Sequence, residues 1–201
     1  MTSKRKEELR LDHTVIGEMI EPGSMVLDMG CGNGDLLEYL VLNQNVRGSG
    51  VEISEEAIYK CVEKGLSVSH GDIDSGLKEY PDAFFDYVIF NQTMQQVHRP
   101  MEAMMEALRI GKKVIIGFPN FCHIKARMQI FFGGRVPVTP SLPYSWYDTP
   151  NLHFLSIKNF TDFCAEQGII IEKKVFLSQK RIIKIFSNIF ALNAVFQVSR
   201  R

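Results

Sequence analysis

MVLDMGCGNG, residues 25–34, decides the fold of this chain. Its first half is a short apolar run typical of a buried strand, and glycines follow at alternate positions. Asp35 then opens a helical pattern carried by Leu36, Leu37 and Leu40. Glycines at such a place let the backbone turn tightly and approach another group without a Cβ in the way. A strand, a glycine-rich turn and a helix in that order are typical of a ligand-binding α/β unit.

Strand-like and helical patterns alternate along most of the chain. Strands are predicted at 25–29, 46–53, 66–69, 85–90, 114–118, 169–177 and 191–198. Helices are predicted at 11–20, from 35, from 55 with Ser54 as its N-cap, and at 101–108, 124–132 and 156–166. Such alternation implies right-handed crossovers and a parallel sheet. The last two strands are expected to form a hairpin-like pair at one sheet edge.

Composition narrows the functional classes. Lys plus Arg and Asp plus Glu each number 23, so the formal net charge is zero, which argues against a nucleic-acid partner. The cysteines form no C-x-x-C pair and no His/Cys cluster has zinc spacing, so we expect free thiols and no metal site. The charged segment 1–10 is not typical of a signal peptide, and no run of about 18 apolar residues occurs. We therefore expect no membrane span and a cytoplasmic location.

A carboxylate lies where a ligand of the glycine-rich turn would need one. Glu52 ends the second predicted strand, roughly 20 residues after the turn, where it can accept both ribose hydroxyls of an adenosine. A dinucleotide fingerprint has the spacing G-x-G-x-x-G, whereas this turn has G-x-G-x-G preceded by Asp28. The spacing favours S-adenosylmethionine, which has no pyrophosphate, over a nicotinamide dinucleotide. Asp28 is expected to serve the ligand's ammonium, directly or through water.

Two further strand ends carry candidate contacts. Asp72 follows the third predicted strand, where it can reach an adenine amino group while Ile73 packs on the ring. Asn91 ends the fourth strand, at the edge where open α/β sheets bind their ligands. Two interpretations of residues 91–93 stay open, because they either line the sulfonium pocket or cap the next helix.

The segment 119–153 differs from the rest of the chain. It holds five of the eight prolines and the only tryptophan, and so long a connection is usually a lid or a binding loop. His123, His153, Tyr144, Tyr147 and Asp148 are its candidate catalytic groups, although we favour a packing role for the aromatic residues. The basic and apolar residues at 180–186 leave two interpretations, a membrane-surface helix or a solvated face, and we favour the second.

These motifs resemble the S-adenosylmethionine-dependent methyltransferase superfamily over residues 25–118. A narrower resemblance is to the methionine biosynthesis protein MetW family, and it extends over nearly the whole chain. The stretches that carry it are NQTMQ (91–95), FPNF (118–121), GGRVPVT (133–139), LPYSWYDTPN (142–151) and ALNAVF (191–196). Cys122 and Ile124 depart from the family pattern, which affects local packing only.

The resemblance implies a three-layer, methyltransferase-type Rossmann fold with a mostly parallel seven-stranded sheet and an antiparallel C-terminal strand. It implies one domain over 1–201, S-adenosylmethionine or S-adenosylhomocysteine as ligand, and a homoserine O-acyltransferase as partner in methionine biosynthesis. The alternative is an active methyltransferase with a small-molecule substrate, and the catalytic residues stay unassigned. The expected ligand contacts are Asp28, Gly30, Cys31, Gly32, Asn33, Gly34, Glu52, Ile53, Asp72, Ile73 and Asn91.

Overall fold

A computed structural model of the chain describes residues 10–78 and 80–201. Those residues form a sheet of seven strands: β1 (Met25–Met29), β2 (Arg47–Glu52), β3 (Ser67–His70), β4 (Phe85–Asn91), β5 (Gly111–Pro119), β6 (Ile170–Leu177) and β7 (Asn193–Ser199). Their α-helices are α1 (Leu11–Met19), α2 (Asp35–Gln44), α3 (Glu55–Glu63), α4 (Pro100–Ile110), α5 (Ile124–Gly133), α6 (Ile157–Glu166) and α7 (Ser187–Phe190). The charged segment 1–9, part of the stretch that argues against a signal peptide, lies outside the described residues.

The strand order is β3-β2-β1-β4-β5-β7-β6. The pairs β1–β2, β1–β4, β2–β3 and β4–β5 are parallel, whereas β7 runs antiparallel to both β5 and β6. The predicted sheet, with its antiparallel C-terminal strand, is confirmed. The hairpin-like edge pair is confirmed as well, because β6 pairs with β7 at the end of the sheet.

Two predicted strand boundaries were wrong by two or three residues. β5 begins at Gly111 rather than at 114, because Gly111 and Lys113 pair with Phe85 and Tyr87 of β4 although this stretch is polar. β7 begins at Asn193 rather than at 191, since Ala191 ends the short helix α7, which the sequence did not predict. The other strand ends differ from the prediction by one residue or not at all.

Both faces of the sheet are covered by helices, which gives three layers. On one face, Phe118 of β5 stacks on Phe196 of β7 with ring centroids 5.8 Å apart, and Phe160 of α6 packs on both rings. On the other face, Ile16 of α1 and Leu40 of α2 are fully buried in a second apolar cluster. Among the described residues, no helix is long and apolar enough to span a bilayer.

The carboxyl ends of β1, β2 and β4 meet at one edge of the sheet, next to the point where the strand order reverses between β1 and β4. In open α/β sheets, ligands bind at this place. The fold therefore brings together the ends of three strands that are far apart in sequence.

Candidate functional site

The glycine-rich turn owes its shape to three left-handed residues. Gly30, Gly32 and Gly34 have φ values of +71°, +55° and +76°, which side chains with a Cβ rarely tolerate. The turn is fixed to the next strand because the backbone N–H groups of Gly30 and Cys31 both donate to the Val51 carbonyl. A Cβ on Gly32 would meet no atom within 4 Å, so this position leaves open space above the turn.

Glu52 lies at the end of β2 and faces the turn. Its carboxylate accepts hydrogen bonds from the backbone N–H of Gly32 at 2.8 Å and from those of Ile53 and Ser54 at 2.9 Å each. Charge-assisted bonds of this kind are among the stronger ones in proteins. Glu52 therefore holds the turn and the start of α3 together at the position where a ribose-binding carboxylate is predicted.

Asp28 lies below the turn and is 2% exposed. Burial, together with the nearby charge of Glu52, raises the pKa of Asp28 to about 7. None of the described groups donates a hydrogen bond to its carboxylate. A cation placed above Asp28 would favour the ionised form, so this side chain fits the ammonium of an amino-acid ligand.

Two adjoining cavities form one cleft along the sheet edge. A cavity of about 240 Å³ contains Asp28, Cys31 and Asn33, and a second of about 430 Å³ contains Glu52 and Ile53. Gly30, Gly32 and Asn91 line both cavities. Their joint size lies in the range of small-molecule sites. The predicted residues that line the cleft are Asp28, Gly30, Cys31, Gly32, Asn33, Glu52, Ile53, Asp72, Ile73 and Asn91.

Gly34 is the predicted contact that lies outside the cleft. It occupies the N-cap position of α2, and a Cβ there would lie 2.5 Å from the Leu66 side chain. Its left-handed backbone and lack of a side chain serve the close packing of α2 against the segment before β3. The structure thus gives Gly34 a role in the fold rather than in the lining of the cleft.

The far end of the larger cavity is formed by a 3₁₀ helix, Ile73–Ser75. The Asp72 side chain accepts a hydrogen bond of 2.9 Å from the Asp74 N–H and so caps this helix. Asp74 in turn accepts from the backbone N–H groups of His98 and Arg99. The wall opposite Glu52 is therefore fixed through backbone contacts, and Ile73 presents an apolar surface to the cavity.

Helix α1 contributes residues that sequence reasoning missed. Asp12 pairs with Arg10 at 2.7 Å and accepts a 3.1 Å bond from the Asn91 side-chain amide. Burial opposes its ionisation, but the hydrogen bonds and charge of Arg10 and the Asn91 bond hold the pKa of Asp12 below its usual value. Burial also lowers the pKa of His13, which lines the smaller cavity. The sequence did carry a signal for Asp12. Asp12 lies three residues before Val15, which is buried, so both residues lie on the same side of α1.

Asn91 lines the cleft, as one of the two interpretations of residues 91–93 predicts. Thr93 precedes a 3₁₀ helix, Met94–Gln96, without a side-chain capping bond, so capping is not its function. The Thr93 hydroxyl instead donates to carbonyl oxygens of Gly30 and Asn91, at 3.4 and 3.3 Å.

Comparison with known proteins shows the family of this chain. The sequence pattern of the methionine biosynthesis protein MetW family matches residues 10–198. This chain belongs to the MetW family. The bifunctional methionine biosynthesis protein MetXA/MetW of Rhodopirellula baltica is 36% identical over 177 residues, which make up 84% of this chain and 28% of that protein. The chain thus spans less than a third of the length of this relative.

Solved structures share the fold of this MetW-family chain. A SAM-dependent methyltransferase of Thermotoga maritima has a TM-score of 0.66 at 18% identity, and the match covers 95% of this chain and 88% of that one. A Rhodobacter sphaeroides protein provisionally assigned to the Zn-dependent alcohol dehydrogenases has a TM-score of 0.69 at 16% identity, with 94% and 88% covered. At such identities the likeness shows the methyltransferase-type Rossmann fold alone. In residues 10–78 and 80–201, no group of three or more His, Cys, Asp or Glu side chains is placed to hold a metal.

A third cavity of about 570 Å³ lies beneath the Pro/aromatic segment (residues 119–153) of this MetW-family chain. Gln92 and Gln96 line both this chamber and the larger cavity of the cleft, so the two spaces adjoin. Gln95 is 4% exposed, and its Oε1 has no hydrogen-bond partner among the described groups. The chamber is lined mainly by amide and hydroxyl side chains and is therefore suited to a polar molecule.

The histidines of the Pro/aromatic segment have structural partners. His123 caps α5, because its Nδ1 accepts from the Lys125 N–H at 3.1 Å, and burial lowers its pKa. A ring nitrogen of His153 lies 3.0 Å from the Val97 carbonyl, and the His153 N–H donates to the Gln95 carbonyl. Both contacts favour the packing interpretation over a catalytic one.

Proposed function

We propose that this protein binds S-adenosylmethionine in the cleft and supports a homoserine O-acyltransferase in methionine biosynthesis. The observation that carries the proposal is the bifunctional MetXA/MetW relative, in which the part similar to this chain is joined to MetXA in one polypeptide. Two activities joined in one chain commonly act together. The cleft supports the ligand, because its chemistry suits an amino acid at one end and an adenosine at the other.

In the proposed complex, Asp28 faces the ammonium of the methionine moiety while Gly30, Cys31, Gly32 and Asn33 surround it. Glu52 and Ile53 hold the ribose, and Asp72 and Ile73 receive the adenine. Asn91 lies at the middle of the cleft, on the side of the sulfonium. Gly34 acts from outside by shaping the start of α2.

A thermal melt tests the ligand. S-Adenosylmethionine at about 100 times Kd stabilises a one-site protein by roughly 2.7 kcal/mol. For a domain of this size, that gain raises Tm by about 5–11 °C. The same shift is expected with S-adenosylhomocysteine. A shift with NAD and none with either adenosyl ligand would overturn the proposal in favour of an oxidoreductase.

The cleft and the acyltransferase are linked in this proposal by end-product control. S-Adenosylmethionine is made from methionine, so its binding reports the level of the end product. A ligand shifts an assembly only when its affinity differs between the free and assembled forms. The test titrates the acylation of homoserine by the acyltransferase of the same organism with this protein, with and without S-adenosylmethionine. A saturable change in rate supports the role, and an unchanged rate contradicts it.

A second candidate function rests on the chamber beneath the Pro/aromatic segment. Because the chamber adjoins the cleft, a small polar acceptor there would lie beside the cofactor, and residues 119–153 would act as its lid. S-Adenosylmethionine supplies an electrophilic methyl group, so alignment alone provides much of the acceleration. Gln92, Gln95 and Gln96 would orient the acceptor. Release of S-adenosylhomocysteine with a defined acceptor would establish this activity.

Both candidates place the protein with soluble metabolic enzymes, so we infer a cytoplasmic location. We also treat residues 1–201 as one functional domain, because the Pro/aromatic segment contacts the 3₁₀ helix Met94–Gln96, which follows β4 beside the cleft. Leu152 and His153 both donate backbone hydrogen bonds to the Gln95 carbonyl there.

A further inference from the structure

Helix α5 exposes nearly all of its side chains. Of its ten residues, only Ala126 is buried. Phe131 and Phe132 are 81% and 71% exposed, and Met128 is about half exposed. A surface helix normally turns its apolar side chains toward the core. In α5 they face away from it, which is typical of an interaction surface.

The loop 178–190 between β6 and β7 carries a second exposed apolar group. Ile185 and Phe186 are 71% and 69% exposed. Phe186 has a φ of +51°, a left-handed conformation that is rare for a bulky side chain. Backbone strain of this kind is concentrated at binding and functional sites. The loop therefore presents an aromatic ring at a strained position rather than burying it.

Hydrogen bonds bring the loop and α5 together. The Asn188 carbonyl accepts from the Asn120 side chain at 3.2 Å and from the Arg127 guanidinium at 3.5 Å. Phe131 follows Arg127 by one helical turn and so lies on the same side of α5 as the loop. The exposed apolar side chains of α5 and of the loop therefore belong to adjoining elements and together define one candidate surface. We call it the docking face, consisting of Met128, Phe131, Phe132, Ile185 and Phe186.

The docking face is surrounded by positive charge. The stretches 107–147 and 173–201, which contain α5 and the loop, hold no Asp or Glu, although the whole chain is neutral. Residues 124–135 and 178–190 carry six exposed cations, and none of them forms an ion pair with a carboxylate of residues 10–78 or 80–201: Lys125, Arg127, Arg135, Lys180, Arg181 and Lys184. The surface thus complements an acidic partner.

We propose that the docking face is where this protein binds the acyltransferase, at a surface of that enzyme with an apolar recess and a rim of carboxylates. The inference rests on the proposed function, which supplies the partner. Aromatic anchors within a charged rim are the usual arrangement of a specific interface. A second copy of this chain fits less well, because a two-fold contact would bring the same cations against one another.

The experiment measures the affinity of the full-length chain for the acyltransferase of the same organism by calorimetry. Phe131→Ser combined with Phe132→Ser removes the anchors of α5, and we expect binding at least ~30-fold weaker. Phe186→Gly removes the loop's ring and suits the positive φ, so the fold is retained. The matched control is Tyr59→Ser with Val62→Ser, which alters two exposed apolar side chains of α3 near the opposite end of the sheet and should leave the affinity unchanged.

The outcomes separate the two proposals. If the unchanged chain does not bind the acyltransferase, the proposed function fails and the docking face fails with it. If the unchanged chain binds and the docking-face variants bind equally well, the docking face alone is wrong. Lys180→Glu with Arg181→Glu should weaken binding and reduce its dependence on salt, as expected for a charged rim.

Two other occupants are tested with the same variants. The first is a vesicle that contains phosphatidylserine. If the unchanged chain binds it, and Phe131→Ser/Phe132→Ser abolishes that binding but retains the affinity for the acyltransferase, the docking face belongs to a membrane surface. A dimer in sedimentation that is dissociated by the same substitutions, again with acyltransferase affinity retained, would assign it to a second copy. Either result overturns the inference.

Discussion

Asp12 accepts a hydrogen bond of 3.1 Å from the side-chain amide of Asn91, a residue 79 positions further along the chain. Asp12 belongs to α1 and Asn91 ends β4, so the bond ties the first helix to the sheet edge beside the cleft. Arg10 pairs with the same carboxylate. One wall of the candidate site therefore depends on a contact that no local pattern reveals.

The substitution Asp12→Ala tests this contact. It leaves the Asn91 amide without its partner, and the Asn91 Oδ1 already has none among the described groups. Losing a partner for a buried polar group lowers the free energy of unfolding by about 1–3 kcal/mol. We expect a decrease of this size in urea unfolding, with weaker binding of S-adenosylmethionine.

Glu56→Ala serves as the control for Asp12→Ala. Glu56 is an exposed carboxylate that pairs with Lys60 one turn along α3. Exposed pairs of this kind contribute little to stability, so its loss should leave both the unfolding curve and the affinity unchanged. Equal stability of the two variants would show that the Asp12–Asn91 bond does not hold the wall.

Gly117→Ala should displace Asn91 without touching the cleft directly. A Cβ on Gly117 would lie 2.3 Å from Asn91 Oδ1, so the Asn91 side chain has to move away from Gly117, which disturbs its bond to Asp12. We expect a loss of about 1–3 kcal/mol in unfolding free energy and a weaker affinity for S-adenosylmethionine. Gly133→Ala is the control, because a Cβ there meets no atom within 4 Å. A normal affinity in Gly117→Ala would mean that Asn91 does not contact the ligand.

The sheet and half of the candidate site follow from local patterns. The alternation of apolar runs and helices predicted the parallel strands, and the turn placed Gly32 and Glu52 beside each other because both lie at strand ends. Three glycines in one turn do not reveal which of them faces a ligand. Only the packing of Gly34 against Leu66 separates its role from that of Gly32.

The other half depends on contacts between distant parts of the chain. Arg10 and His13 reach the cleft, and Asp12 reaches Asn91 and the neighbouring chamber, only because α1 packs on the sheet next to α2. The sequence did not reveal the exposure of α5 either. Phenylalanines such as Phe131 and Phe132 usually lie on the buried side of a helix, so their residue type alone predicts burial. Periodicity predicts that a helix forms but does not tell which surface covers it.

Glu52→Ala tests the ribose contact. If Glu52 holds the ribose through charge-assisted hydrogen bonds, the affinity for S-adenosylmethionine falls by about 1.5–3 kcal/mol, or roughly 10–150-fold. The substitution also removes the acceptor of the Gly32, Ser54 and Ile53 N–H groups, so stability should fall as well.

Ser54→Ala separates the two effects of Glu52→Ala. The Ser54 hydroxyl accepts a hydrogen bond from the Ala57 N–H at the start of α3. Its loss therefore costs about 1 kcal/mol of stability in the same segment that Glu52 holds, without removing the Glu52 carboxylate. Calorimetry should find its affinity for S-adenosylmethionine unchanged. Unchanged affinity in Glu52→Ala would remove Glu52 from the site.

Asp28→Asn should stabilise the ligand-free protein while it abolishes tight binding. The pKa of Asp28 is raised to about 7 in the fold, far above its ordinary value of 3.8. The folded state therefore binds more protons than the unfolded chain between these values, and stability falls as pH rises from about 4 to 7. The amide carries no charge to bury, so we expect the variant to be more stable by about 4 kcal/mol at pH 8 and nearly equal at pH 4.

The same carboxyl sets the pH dependence of binding. The proposed contact needs an ionised Asp28 and a protonated ligand amine, whose pKa is about 7.8. With the two groups titrating near pH 7 and pH 7.8, the affinity of the unchanged chain should fall about fivefold from pH 7.5 to pH 6. Asp28→Asn should bind weakly at both pH values and lose this dependence. Calorimetry at pH 7.5 and pH 6 tests this contact. If Asp28 does not contact the ligand, the affinity of the unchanged chain will not fall between the two pH values.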